Sequence, residues 1–197
     1  MDYFSTRGAS GRVSSAEAIL QGLASDGGLF VPNAFPQMTR SEIAALAPLS
    51  YEERAVAILR LFLTDYTDEE LRGCVERAYG HTFDDVRRAP VRAVGGLSVL
   101  ELWHGPTSAF KDMALQLLPQ LMSAAREKMG ARDTILILVA TSGDTGKAAL
   151  EGFADAPGIR MMVFYPDGGV SPVQRLQMVT QEGGNVKVVA VRGNFDD

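Results

Sequence analysis

Two stretches of this sequence carry residue types and spacings that could do chemistry. The first is His104-Gly105-Pro106-Thr107-Ser108-Ala109-Phe110-Lys111-Asp112. It joins an expected strand to an expected helix and sets Lys111 in the first helical turn. The helix macrodipole disfavours a cation there. The amine then loses its proton at smaller cost, and a neutral amine is what Schiff-base chemistry needs. For an isolated lysine the simpler reading is a packed stem with its ammonium in water, and neighbouring Asp112 could equally hold the charge on. The second stretch is Thr141-Ser142-Gly143-Asp144-Thr145-Gly146, between a strand and a helix. Glycines let a backbone approach a ligand closely, amides at a helix start favour an anion, and the hydroxyls add donors. A tight strand-to-helix turn with a cap would use the same residues without any ligand.

Neighbouring motifs narrow the chemistry. Gly146-Lys147 suggests a nucleotide-phosphate loop, but the position five before Gly146 is Thr141 and Ala148 stands where a magnesium-holding hydroxyl belongs. A Gly-x-Gly-x-x-Gly dinucleotide fingerprint is absent from the loop. Ser108-x-x-Lys111 fits the serine–lysine pattern of penicillin-binding acyl-transfer enzymes, with Ser108 as nucleophile, yet its companion Ser-Asp-Asn and Lys-Thr-Gly motifs are missing. His81 and His104 are the only histidines and neither has metal-ligand spacing with another His or Cys. His81 suits a helix end. His104 could bond within its loop. Met113, Met122, Met129, Met161 and Met162 read as core filler, and Asp68-Glu69-Glu70 as an acidic helix start.

The elements that must position these residues fall into two regions. In residues 14 to 80, Ser14 with Glu17, Thr39 with Glu42, Ser50 with Glu53 and Thr67 with Glu70 are capping-box pairs that open helices. Ala55, Ile58, Leu59, Phe62 and Leu63 recur at helical spacing and predict the buried face of the third helix. Leu29-Phe30-Val31 reads as a short strand after the turn Asp26-Gly27-Gly28. From Val91, residues 91–94 and 97–102, separated by Gly95-Gly96, predict a hairpin or two short strands. Residues 109–129 predict a helix closed by Gly130 and kinked or interrupted at Pro119. Strand 134–140, helix 147–155, strand 159–165, a helix over 172–182 opened by Ser171-Pro172, and strand 185–191 then alternate as βαβ units of a parallel sheet. The expected class is α/β, a helical region 1–90 followed by a parallel-sheet domain over 91–197. Such a sheet normally continues, so the chain reads as truncated inside its second domain.

Composition excludes several classes. The chain has 197 residues, 46% hydrophobic and 22% charged, which suits a globular protein rather than a disordered one. Its net charge of −5 argues against a nucleic-acid partner and against an anionic membrane surface. The apolar run Ile135–Ala140 is far too short for a bilayer span of about 20 residues, and the first residues lack the charge-then-apolar order of a secretory signal. A lone cysteine, Cys74, allows no internal disulfide and suits a reducing cytoplasm.

Taken together, the motifs resemble the threonine synthases. These belong to the pyridoxal-phosphate enzymes of the tryptophan-synthase β type (fold type II). Tyr3–Gly8, Gly22–Pro32, Leu100–Thr107 with Ala109-Phe110-Lys111-Asp112, Ala140–Gly146, and Phe164-Tyr165-Pro166 through Ser171-Pro172-Val173-Gln174 to Leu176-Gln177-Met178 resemble that family's segments in order. Ser108, Trp103 and Pro119 depart from its pattern. The resemblance implies pyridoxal 5′-phosphate as cofactor, with Lys111 as the residue bonded to it and, once freed, as a proton shuttle. It implies a carbon–oxygen lyase acting on a phosphate, which converts O-phospho-L-homoserine and water to L-threonine and phosphate. Thr141, Ser142, Gly143 and Thr145 would hold the substrate carboxylate. Asp144 would lie by the cofactor's 3′-oxygen, where related enzymes carry Asn. The loop gripping the cofactor phosphate is expected beyond residue 197, so this portion alone should bind cofactor poorly. Two other readings stay open: a non-catalytic domain that binds an anionic metabolite, and the acyl-transfer reading of Ser108 with Lys111.

Overall fold

The computed structural model of the chain describes residues 1–141 and 143–193. In chain order the first elements are β1 (Tyr3–Ser5), α1 (Ser15–Gln21), β2 (Phe30–Pro32), α2 (Arg40–Leu46), α3 (Tyr51–Phe62) and α4 (Asp68–Tyr79). A hairpin of β3 (Val91–Val94) and β4 (Leu97–Leu100) follows, then α5 (Asp112–Leu115) and α6 (Leu118–Lys128). The chain continues with β5 (Ile135–Ala140), α7 (Asp144–Phe153), β6 (Ile159–Pro166), α8 (Pro172–Val179) and β7 (Val186–Val191). They fall into two compact units. One is Met1–Gly80 with Gln120–Ala131, the other His81–Pro119 with Arg132–Asp197.

In the first unit the caps open the helices. Thr39, Ser50 and Thr67 each form the complete box with Glu42, Glu53 and Glu70. Ser14 accepts from the Glu17 amide, but the Glu17 carboxylate accepts from Gln21 one turn on, at 3.1 Å. β1 and β2 pair antiparallel, and beside them Ser5 donates to Asp26 at 2.6 Å. A Cβ on Gly28 would stand 2.0 Å from the Ser5 hydroxyl, so the turn after Asp26 admits only glycine. The core gathers Val56, Leu63, Leu71, Cys74, Val75 and Tyr79 with Leu121, Met122 and Ala125 of α6. This corrects the expected face of α3. Val56 is its buried residue and Ile58 is 44% exposed, because the stripe that meets α4 runs through Val56 rather than Ile58.

The expected helix 109–129 is two helices. Residues 109–111 precede α5, and Gln116-Leu117 separate α5 from α6. The helix is interrupted just before Pro119, one of the two outcomes expected of it, and Pro119 becomes the second residue of α6, where its missing N–H has no intrahelical acceptor to lose. The far end of α6 closes as expected at Gly130 (φ +62), with Ala131 N–H bonded to Arg126 C=O and Gly130 N–H to Glu127 C=O.

The second unit holds the antiparallel hairpin, turning at Gly95-Gly96, and a parallel sheet in the order β5-β6-β7. Central strand β6 alternates cleanly: Ile159, Met161, Val163 and Tyr165 are buried. α7 packs on β6, and its own buried residues are Gly146, Ala148, Ala149, Leu150 and Phe153. α7 also meets α5 so closely that a Cβ on Gly152 would stand 2.0 Å from the Leu115 carbonyl oxygen. That contact is backbone and cannot swing aside. Gly152→Ala should therefore destabilise the chain by about 1–3 kcal/mol, the cost of overpacking. Gly73→Ala on α4 meets only the end of the Arg77 side chain, at 3.2 Å, and should be neutral or stabilise by up to about 1 kcal/mol. Urea denaturation midpoints of the two variants against the parent check both signs.

Candidate functional site

Lys111 and the loop after β5 come together within the second unit. Lys111 Nζ lies 3.4 Å from Asp144 Oδ2 and 4.3 Å from the centroid of the Phe110 ring. The two charged side chains are 30% and 46% exposed, so the pair is worth no more than about 1 kcal/mol, and solvent reaches the amine. Lys111 occupies the N-cap position of α5, in front of the helix, and α5 has only four residues. The macrodipole argument made for Lys111 from the sequence therefore fails, since one turn aligns too few peptide dipoles.

Asp112 does not hold the lysine's charge. It is fully buried, and its carboxylate accepts from the Thr107 amide at 2.9 Å and the Thr107 hydroxyl at 2.7 Å. A Cβ on Gly105 would stand 2.5 Å from Asp112, so glycine there makes room for the carboxylate. Ser108 takes a left-handed backbone (φ 57) in the turn closed by its N–H on Gly105 C=O, at 3.0 Å. No hydrogen bond joins Ser108 to Lys111 among the described residues, so the geometry gives the acyl-transfer reading no support.

The loop that faces Lys111 is braced from within. Thr141 is 2% exposed, and its hydroxyl accepts from the Gly143 and Gly146 amides, each at 3.0 Å. Both lone pairs are thus used within the loop. Gly143 has φ +148 and lies under the Gln174 amide, a conformation that L side chains rarely adopt. Gly146 serves packing, not close ligand approach: its missing Cβ would meet Thr141 and Val163 at 2.4 and 3.0 Å. Thr145 is half-buried and its amide donates to the Asp144 carboxylate at 2.9 Å. Ser142 lies outside the described residues. Lys147, the residue that invited a nucleotide-loop reading, donates to Glu151 at 2.8 Å and also bonds Gln181.

Two features escaped the sequence reading of the site. Gln174 covers Gly143, a contact between residues 31 apart. His104 is bracketed by Asp84 and Glu101. Glu101 stands three residues away and could have been suspected, but Asp84, twenty residues back, left no local signal. A separate cavity of about 950 Å³ in the first unit, lined by Glu52, Glu53, Asp68, Glu69, Arg72 and Glu76 among others, is rimmed largely by carboxylates, a poor match for an anionic ligand.

A parallel sheet with helices between its strands, carrying an amine set against a braced, glycine-containing loop at the carboxyl end of a strand, defines an α/β protein. Comparison with known proteins narrows the class. Residues 2–79 match the family described as threonine synthase N terminus. The whole chain is 44% identical to threonine synthase of Pseudomonas aeruginosa and 40% identical to that of Schizosaccharomyces pombe, spanning 42% and 40% of their lengths. The crystal structure of pyridoxal-phosphate-bound threonine synthase from Brucella melitensis superposes over all of this chain and 42% of its own, with a TM-score of 0.90 at 41% identity. The chain belongs to the threonine synthase family and corresponds to its N-terminal portion; it spans about two fifths of the length of these relatives.

The brace on the loop is testable. Thr141→Val leaves two amide donors without an acceptor and should cost about 2 kcal/mol or more. Thr141→Ser keeps the acceptor and should lose only about 1 kcal/mol with the methyl. Urea midpoints, with hydrogen exchange at Gly143 and Gly146, separate the two variants.

Proposed function

We propose that this chain forms the N-terminal portion of a pyridoxal-phosphate-dependent carbon–oxygen lyase, a threonine synthase that converts O-phospho-L-homoserine and water to L-threonine and phosphate. In this reading residues 1–90 are the family's N-terminal domain, and residues 91–197 begin the cofactor-binding domain. The observation that carries the proposal is the Lys111 amine, accessible and 3.4 Å from Asp144 on the loop that follows β5, in a chain whose full length matches threonine synthases.

The residues present fit the cofactor. An aldehyde needs an amine that solvent can reach, and Lys111 is one. Asp144 offers a carboxylate beside that amine, suited to a protonated partner. The bound cofactor supplies an electron sink, which leaves the protein to place the substrate and switch protons. Lys111 would bond to the cofactor and, when displaced by substrate, would carry protons at its Nζ. By resemblance, Thr141, Ser142, Gly143 and Thr145 would hold the substrate α-carboxylate. The Phe110 ring, next to Nζ, would limit where the freed amine can swing.

No helix among the described residues is long and apolar enough to cross a membrane, and the lone cysteine fits a cytoplasmic setting for this small-molecule chemistry. Incubation of the chain with pyridoxal phosphate, borohydride reduction and peptide mapping test the proposal. The adduct should fall at Lys111, and Lys111→Ala should lower its yield about tenfold or more. Labelling spread over surface lysines, unchanged in Lys111→Ala, would overturn the assignment. If no adduct forms yet phosphohomoserine raises the melting temperature, the chain is a binding module.

A further inference from the structure

The segment that carries Lys111 is closed on itself. Gly105 C=O accepts the Ser108 N–H, Thr107 holds the buried Asp112 carboxylate, and Gly105 abuts Asp112 with no room for a side chain. Residues 105–112 therefore move as one piece. The residue that leads into this piece, His104, is gripped from both sides. Its Nδ1 is 2.5 Å from Asp84 Oδ1 and its Nε2 is 2.8 Å from Glu101 Oε2. Its backbone carbonyl accepts the Asp84 N–H at 3.0 Å, and its ring stacks on Trp103 with centroids 5.7 Å apart. The side chain is only 13% exposed.

We propose that His104 is a positioning residue that fastens the Gly105–Asp112 turn, and with it Lys111, by donating from both ring nitrogens at once to Asp84 and Glu101. The functional consequence rests on the reading of Lys111 as the reacting amine; the fastening itself does not. A neutral imidazole has one N–H and one lone pair, so it satisfies one carboxylate and sets a lone pair against the other. Only the imidazolium satisfies both. Other charged groups lie nearby, and Arg92 shares the Glu101 carboxylate with the imidazole. Arg92 reaches Glu101 at 3.6 Å and Asp85 at 3.3 Å. Arg87 lies 3.0 Å from Asp85, and Arg88 donates to the Asp85 backbone carbonyl at 3.1 Å.

The hydrogen bond to Glu101, then that to Asp84, raises the His104 pKa above its ordinary 6.5, against the opposing effect of burial. For a raised imidazole the fastening is complete below about pH 6.5 and is lost as pH climbs through the raised value. Titration of the full 197-residue chain by NMR reads this directly. Two histidines give few ring signals, and His104→Gln assigns them. The Gly105, Ser108 and Lys111 amides should shift with the same midpoint as the His104 ring, above 6.5. Asp84→Asn, at a carboxylate 78% exposed and so safe for folding, should lower that common midpoint, and Glu101→Gln should do the same. In His104→Gln the three amides should stop titrating in this window. Amides that stay flat while the ring titrates, or a ring midpoint that neither carboxylate variant moves, would overturn the proposal. No cofactor is needed, so this result is independent of adduct formation at Lys111.

Discussion

The site depends on one buried carboxylate. Asp112 is fully enclosed and is met by the amide and hydroxyl of Thr107. A carboxylate without such donors would be costly to bury, so the fold keeps the turn from Gly105 to Asp112 in the shape that brings Thr107 to it. Lys111 immediately precedes Asp112 and inherits that shape. Its backbone is fixed by its neighbour's hydrogen bonds, while its side chain stays free enough to react.

The loop opposite obeys a parallel constraint. The Thr141 hydroxyl gathers the Gly143 and Gly146 amides, and Gly146 lets the first turn of α7 settle onto Thr141 and Val163. At the other end of α7, Gly152 touches the Leu115 carbonyl at the end of α5. One helix is thus pinned near its start to the sheet and near its end to the short helix that follows Lys111. The separation between amine and loop is set by backbone packing at both ends of α7, and the surface-exposed ion pair across the gap adds little to it.

Much of this was legible in the sequence. Capping boxes at Thr39, Ser50 and Thr67 opened helices where expected, because a cap is local chemistry between residues three apart. The alternation of strands and helices after residue 134 gave the parallel sheet for a similar reason. Several of the failures involve partners distant in the chain. Which stripe of α3 faces α4 depends on α4, so Ile58 and Val56 exchanged roles. The interruption expected at Pro119 falls at Gln116-Leu117, just before it. Gln120–Ala131 packs with the first unit, a return that no local pattern announces. At the site, residue types marked Lys111 and the Thr141–Gly146 loop, but the brace at Thr141, the cover from Gln174 and the bracket around His104 arise from folding.

The weak partnership of Lys111 with Asp144 is itself informative. A lysine held for stability alone gains from burial of its stem and several acceptors; here one carboxylate at 3.4 Å and the Phe110 ring suffice, and solvent reaches both charges. Such a pair is exchanged at small cost. The hydrogen bonds of the unit meanwhile fix the segments around the amine: Thr107 with the Asp112 carboxylate, Thr141 with the loop amides, His104 with the Asp84 and Glu101 carboxylates. A fixed base under a lightly tethered amine is the arrangement a covalently reacting lysine needs, because the amine must leave its resting partner without disturbing the turn on which it stands.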